Sequence, residues 1–88
     1  MNLKAEYFDA IKNGSKVFEF RRCTPYWMKR LVGKDFHRVF FKRGYPPHGD
    51  TERMLVCRWE GFEVQSIKHP HFGSDYVDVF AIRVGAPI

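Results

Sequence analysis

Lys16, Glu19 and Arg21 set two cations around one carboxylate within the segment Gly14-Ser15-Lys16-Val17-Phe18-Glu19-Phe20-Arg21. That chemistry suits a polar pocket. Lys16 and Arg21 can bind a phosphate or a base oxygen, and Glu19 can accept from a base amino group or orient Lys16. If a reaction occurs there, Lys16 or Arg21 stabilises phosphorane charge, and Glu19 or a histidine brought near by folding is the general base. The plain alternative is a solvent-facing strand with surface ion pairs, each worth roughly 0–1 kcal/mol.

Two further groups carry aromatic rings beside cations. Tyr26, Trp27 and Arg30 fall at helical i,i+3 and i,i+4 spacings, and an exposed ring beside Arg is a stacking platform for an unpaired base. Trp27 reads more simply as a core anchor together with Leu31. Lys42, Arg43, Tyr45 and His48 interleave charge and ring in a loop, which suits single-stranded nucleic acid or merely a solvated turn. His69-Pro70-His71 invites a metal reading, but zinc needs three or four convergent ligands and His37 and His48 lie far off in sequence, so neither metal nor cofactor is expected. Cys23 has no histidine in a recognisable partner arrangement and reads as a structural thiol. No Gly-rich phosphate loop, Ser-His-Asp pattern or paired-carboxylate motif is visible.

The elements that must position these residues follow from periodicity. Tyr7, Phe8, Ala10 and Ile11 give a helical stripe over Ala5 to Asn13, with Asn13-Gly14 as its stop. Met1 to Leu3 reads as a brief strand. Lys16 to Arg22 alternates, with Phe18 and Phe20 expected on the core face and Glu19 and Arg21 on the other. Strict alternation sets Lys16 opposite Glu19, so Lys16 must reach round from the loop junction. Thr24-Pro25 predicts a second helix to Val32, with Thr24 as its N-cap. Strands are expected at Phe36 to Lys42, at Arg53 to Trp59 continuing through Phe62 to Ile67 after a kink at Gly61, and at Asp75 to Val84. The whole reads as α+β with a mostly antiparallel sheet, curled into a barrel to remove exposed edges.

Bulk properties narrow the partners. The 88 residues suffice for one domain, 1–88. A net charge of +5 favours acidic partners such as nucleic acid or nucleotides. No apolar run is long enough for a membrane span, and the N-terminal residues carry no export-type apolar stretch, so a cytoplasmic location with Cys23 and Cys57 as free thiols is expected.

The segment from Gly14 to Arg21 fits the G-x-K-x-x-E-x-R signature of ASCH domains. Thr24-Pro25-Tyr26-Trp27, Arg30-Leu31, the strand from Arg38 to Phe41, Gly44-Tyr45 and the terminal Arg83-Val84-Gly85 resemble small ASCH proteins often found in phages and prophages. The resemblance covers nearly the whole chain. It implies a PUA-like β-barrel with two short helices near the N-terminus, and binding of RNA or a modified nucleotide beside the signature strand. On that basis Lys16, Glu19, Arg21, Tyr26, Arg30, Arg43 and Tyr45 are the expected ligand-binding residues, with the first three catalytic if the protein is an enzyme. Some members resemble single-strand ribonucleases. Others are acetylcytidine amidohydrolases with a nucleophilic threonine at the position of Glu19, so Glu19 argues against that activity here. A phage-encoded module that blocks a host protein through an aromatic surface is the alternative outside nucleic-acid chemistry.

Overall fold

Phe8 and Ile11, one turn apart, are the buried residues of helix α1 (Ala5–Lys12). Asn13 closes the helix by donating its N–H to Asp9 O at 3.0 Å, and Gly14 N donates to Ile11 O at 3.2 Å. Gly14 follows at φ +86°, a conformation that L side chains rarely adopt, and turns the chain toward the signature strand. The computed structural model describes residues 1–45, 49–70 and 73–88. Helix α2 (Pro25–Leu31) starts as expected: Thr24 is extended, its hydroxyl accepts from Trp27 N at 3.4 Å, and Pro25 stands at the first turn. It ends one residue before Val32, whose N–H still donates to Met28 O.

Among the described residues, five strands form one mixed sheet in the order β1-β3-β4-β5-β2. They are β1 (Asn2–Leu3), β2 (Phe18–Arg22), β3 (Arg38–Arg43), β4 (Met54–Ile67) and β5 (Val77–Pro87). Only β1 and β3 run parallel; the other neighbours are antiparallel. The protein is thus a small α+β domain with two helices, as the periodicity implied. The kink expected at Gly61 is a bulged stretch within one long β4, where the β4–β5 register shifts between Cys57, Trp59 and Phe62. At the same bulge the backbones come very close. A Cβ on Gly85 would stand 2.3 Å from Arg58 O, so only glycine fits without movement.

The expected closed barrel is corrected to an open sheet with β1 and β2 as its edges. The ladder of β1 is made with β3 and that of β2 with β5, and none joins the two edges. The sheet nevertheless curls. Strands stand roughly 4.8 Å apart, so in a flat sheet the outer two of five would be separated by about 19 Å. Arg21 on β2 instead reaches Asn2 O on β1 at 3.1 Å.

Register identifies the inner face of this curl. Glu19 lies opposite Ile82 and Arg21 opposite Phe80. Phe80, Ile82 and Leu31 form one buried cluster, against which Trp27, Trp59 and Phe62 pack. Val39, Phe41 and Cys57 form the other with Leu3, Phe8 and Ile11. Glu19 and Arg21 therefore stand on the core face, a correction to the simple reading of the alternation. Glu19 is 5% exposed, whereas Phe18 and Phe20 are half-buried and stack on each other at 6.3 Å. Neither core cluster includes those two rings. Charged residues occupy the inner face here because they are paired and border a cleft rather than a dry core.

Candidate functional site: a cleft at the open seam of the sheet

Between the two sheet edges lies a cleft of about 520 Å³, with walls from β1, α1, β2, α2 and His69. It takes in Lys16, Glu19, Arg21 and Tyr26 of the residues singled out by sequence. Lys16 precedes β2, so strand alternation does not constrain it. Its backbone N–H donates to Ala10 O at 3.1 Å, while Ser15 N donates to Asn13 Oδ1 at 2.9 Å. These bonds pin the junction after Gly14 against the end of α1 and let Lys16 turn inward. Its Nζ then sits 3.5 Å from Glu19 Oε1, 4.8 Å from the Tyr7 ring centre and 5.2 Å from that of Phe20. A cation between two aromatic faces gains attraction from both quadrupoles.

Arg21 is the other half of the pair. Its Nη2 donates to Glu19 Oε2 at 3.0 Å and to Asn2 O at 3.1 Å, and its guanidinium lies 5.0 Å from the Trp27 ring centre. Its Nε is buried with no hydrogen-bond partner among the described residues. A buried donor without an acceptor costs about 1–3 kcal/mol. Glu19 takes both cations through its two oxygens, and Oε1 also accepts from Phe20 N at 3.2 Å. The charged lining holds Lys4, Lys16, Arg21 and Arg22 against Glu19 alone, four cations to one carboxylate, with His69 beside them.

Aromatic faces complete the walls. Tyr26 is 55% exposed and meets Trp27 edge to face at 5.1 Å. Arg30 lies 3.6 Å from the centre of the Tyr26 ring and so braces it from outside the cleft. Trp27 packs on the Leu31 cluster, the core anchoring read for it from sequence, and it also lines the cleft. Tyr7 and His69, which meet edge to face at 6.5 Å, also line the cleft. Sequence reasoning missed both. Tyr7 read as part of an apolar helix stripe and His69 as a solvated loop imidazole, and no local spacing links positions so far apart.

Other expected site residues are not brought in. Arg43 is held at 3.3 Å by Asp9 on α1, and Tyr45 is 89% exposed; neither lines the cleft. Lys42 ends the β3–β4 ladder opposite Met54 and also stays outside it. His48 and His71 lie outside the described residues. Among the described residues no three His, Cys, Asp or Glu side chains converge as metal ligands, and no helix is long and apolar enough to cross a membrane.

The ionisable groups near the site respond to burial. The Met1 ammonium donates to Phe40 O, and its pKa is lowered, first by burial and then by repulsion from Arg21 and Lys42. Cys23 and Cys57 are free thiols. Burial pushes both up in pKa, and Asp78 adds to the effect at Cys23. Compared with protein-family models, with curated proteins and with solved structures, the chain matches none.

Proposed function

We propose that the protein binds RNA, or a single nucleotide with a plain or modified base, in the cleft between β1 and β2. The observation that carries this reading is the trio Lys16, Glu19 and Arg21, joined at 3.5 and 3.0 Å inside one aromatic-walled cleft. The ammonium and guanidinium keep further donors for phosphate after pairing with Glu19. The carboxylate offers lone pairs to a base amino group, and Tyr26 and Trp27 offer faces for stacking. A cleft of about 520 Å³ falls within the usual range for small ligands. The resemblance of Gly14 to Arg21 and of the Thr24 segment to ASCH domains supports the same reading, with the curled, open sheet as a PUA-like pseudo-barrel. The free thiols Cys23 and Cys57 suit a reducing, cytoplasmic setting.

His69 in the cleft wall favours one second reading, a single-strand ribonuclease. In that chemistry His69 or Glu19 takes the proton of a ribose 2′-OH as its oxygen bonds to phosphorus. Lys16 and Arg21 stabilise the phosphorane, and the 5′ oxygen leaves with a proton returned by the protonated base or supplied by water. A host-protein-blocking module would instead present a flat apolar patch, whereas this site is concave and charged.

Pure protein incubated with labelled single-stranded RNA, read for retention and for cleavage, separates binding from catalysis. Lys16→Ala is expected to weaken binding and to flatten the dependence of log affinity on log salt. Glu19→Gln is expected to change which base is preferred, because an amide adds donors at equal size. Wild-type binding of every RNA and nucleotide by both variants would remove the cleft as the site.

A further inference from the structure

A second hollow, of about 300 Å³, adjoins the cleft and shares Trp27 with it as a wall residue. Its floor and sides are largely apolar. Phe36 meets Trp59 edge to face at 5.1 Å, and Phe40 stands beside them. Phe36 and Phe40 are 41% and 42% exposed, which is open surface for rings of their size. Arg30 and Arg38 border the hollow.

The charge around it is unbalanced. Arg38 lies directly across the β3–β4 ladder from Arg58. Like charges in direct cross-strand register destabilise a sheet unless an anion lies between or above them. Neither Arg38 nor Arg58 makes an ion pair among the described residues, and neither does Arg30.

Helix α2 is the common bank of both hollows. Tyr26 and Trp27 face the cleft, and Trp27, Arg30 and Leu31 face the second hollow. An aromatic-lined hollow, bordered by guanidinium groups without ion pairs and sharing the Trp27 wall with a nucleotide-sized cleft, has the parts of a single-strand track: stacking faces and phosphate donors.

We infer that the second hollow seats the nucleotide next to the one in the cleft, so that the protein reads a two-nucleotide segment of single-stranded RNA. The neighbouring base rests on Phe36 and Phe40, and its phosphate meets Arg30 and Arg38. This rests on the nucleotide reading of the cleft.

The test is titration of the four ribonucleoside 5′-monophosphates and the four matching 5′-phosphorylated homodinucleotides, followed by calorimetry or Trp fluorescence. The dinucleotides are expected to bind at least about tenfold more tightly, the yield of one added stacking contact. Their salt dependence is expected to be steeper by about 0.7 for the added phosphate. Phe36→Ala and Arg38→Ala, both outside the cleft lining, are expected to abolish the dinucleotide gain with mononucleotide affinity and the native circular-dichroism spectrum retained. Mononucleotide binding without a dinucleotide gain overturns this inference and leaves the cleft reading standing. A gain that survives in the Phe36→Ala/Arg38→Ala double variant also overturns it, because the second nucleotide then lies elsewhere. Absence of binding by both sets overturns the cleft reading and this inference together.

Discussion

Replacing Glu19 by Gln tests the central arrangement through stability alone, whatever the ligand. Glu19 is 5% exposed and meets Arg21 at 3.0 Å and Lys16 at 3.5 Å. With an effective dielectric of about 20, each attraction is worth about 5 kcal/mol before desolvation. Desolvation of the three ions offsets most of that, by several kcal/mol per ion. Loss of the carboxylate charge does not restore this cost, because Lys16 and Arg21 stay in place as like charges. Breaking a fully dry pair costs about 3–5 kcal/mol. The two cations here keep 19% and 21% side-chain exposure, and the amide oxygen still accepts one bond, so about 2–3 kcal/mol is expected. In urea melts the midpoint should fall with the slope unchanged. At about 4–8 °C per kcal/mol for a domain of this size, the melting temperature should drop by roughly 10–20 °C. A double-mutant cycle with Arg21→Gln should return a coupling of about 1–2 kcal/mol. A stability loss under about 0.5 kcal/mol, or no coupling to Arg21, would show that Glu19 is not the buried hub of the site.

Three other outcomes follow from the fold. Gly85→Ala should destabilise by about 1–3 kcal/mol in urea melts, because its Cβ would lie 2.3 Å from Arg58 O and backbone has to move; wild-type stability contradicts that approach. Thr24→Ala should cost about 0.5–1 kcal/mol, the lower part of the N-cap range, since the bond to Trp27 N is 3.4 Å long, and an unchanged midpoint means that the cap is not made. Cys57 is fully buried and its thiol pKa is raised by burial, so the unfolded chain ionises first as pH rises above the ordinary thiol value of about 8.5. The unfolded state then binds fewer protons than the native one, and stability falls by up to about 1.4 kcal/mol per pH unit between the two pKa values. Cys57→Ala should flatten the decline between pH 8 and 10; an identical pH profile for the variant contradicts the raised pKa.

The sequence by itself determined the local elements. A stripe of Phe8 and Ile11 ending at Asn13-Gly14 has one good solution, a short helix with a tight exit, because capping and periodicity act over a few residues. Thr24-Pro25 set the start of α2 for the same reason. The signature strand was likewise legible as the densest source of donors and acceptors, and Lys16, Glu19 and Arg21 do meet. What the strand faces was not legible. Alternation assigns two sides to a strand but does not say which is inside, and two phenylalanines outvoted a carboxylate and a guanidinium. The curl of the sheet decided otherwise, bringing Arg21 across to Asn2 and placing Glu19 beside Ile82 and Phe80. The same curl delivered His69 and Tyr7 to the cleft, while the ion pair with Asp9 held Arg43 away from it. Closure of the barrel was likewise a tertiary matter. β1 ladders with β3 and not with β2, so a side chain spans the seam and the gap beside it forms the cleft. Contacts of this kind join residues that no local period relates, and only the packed chain fixes them.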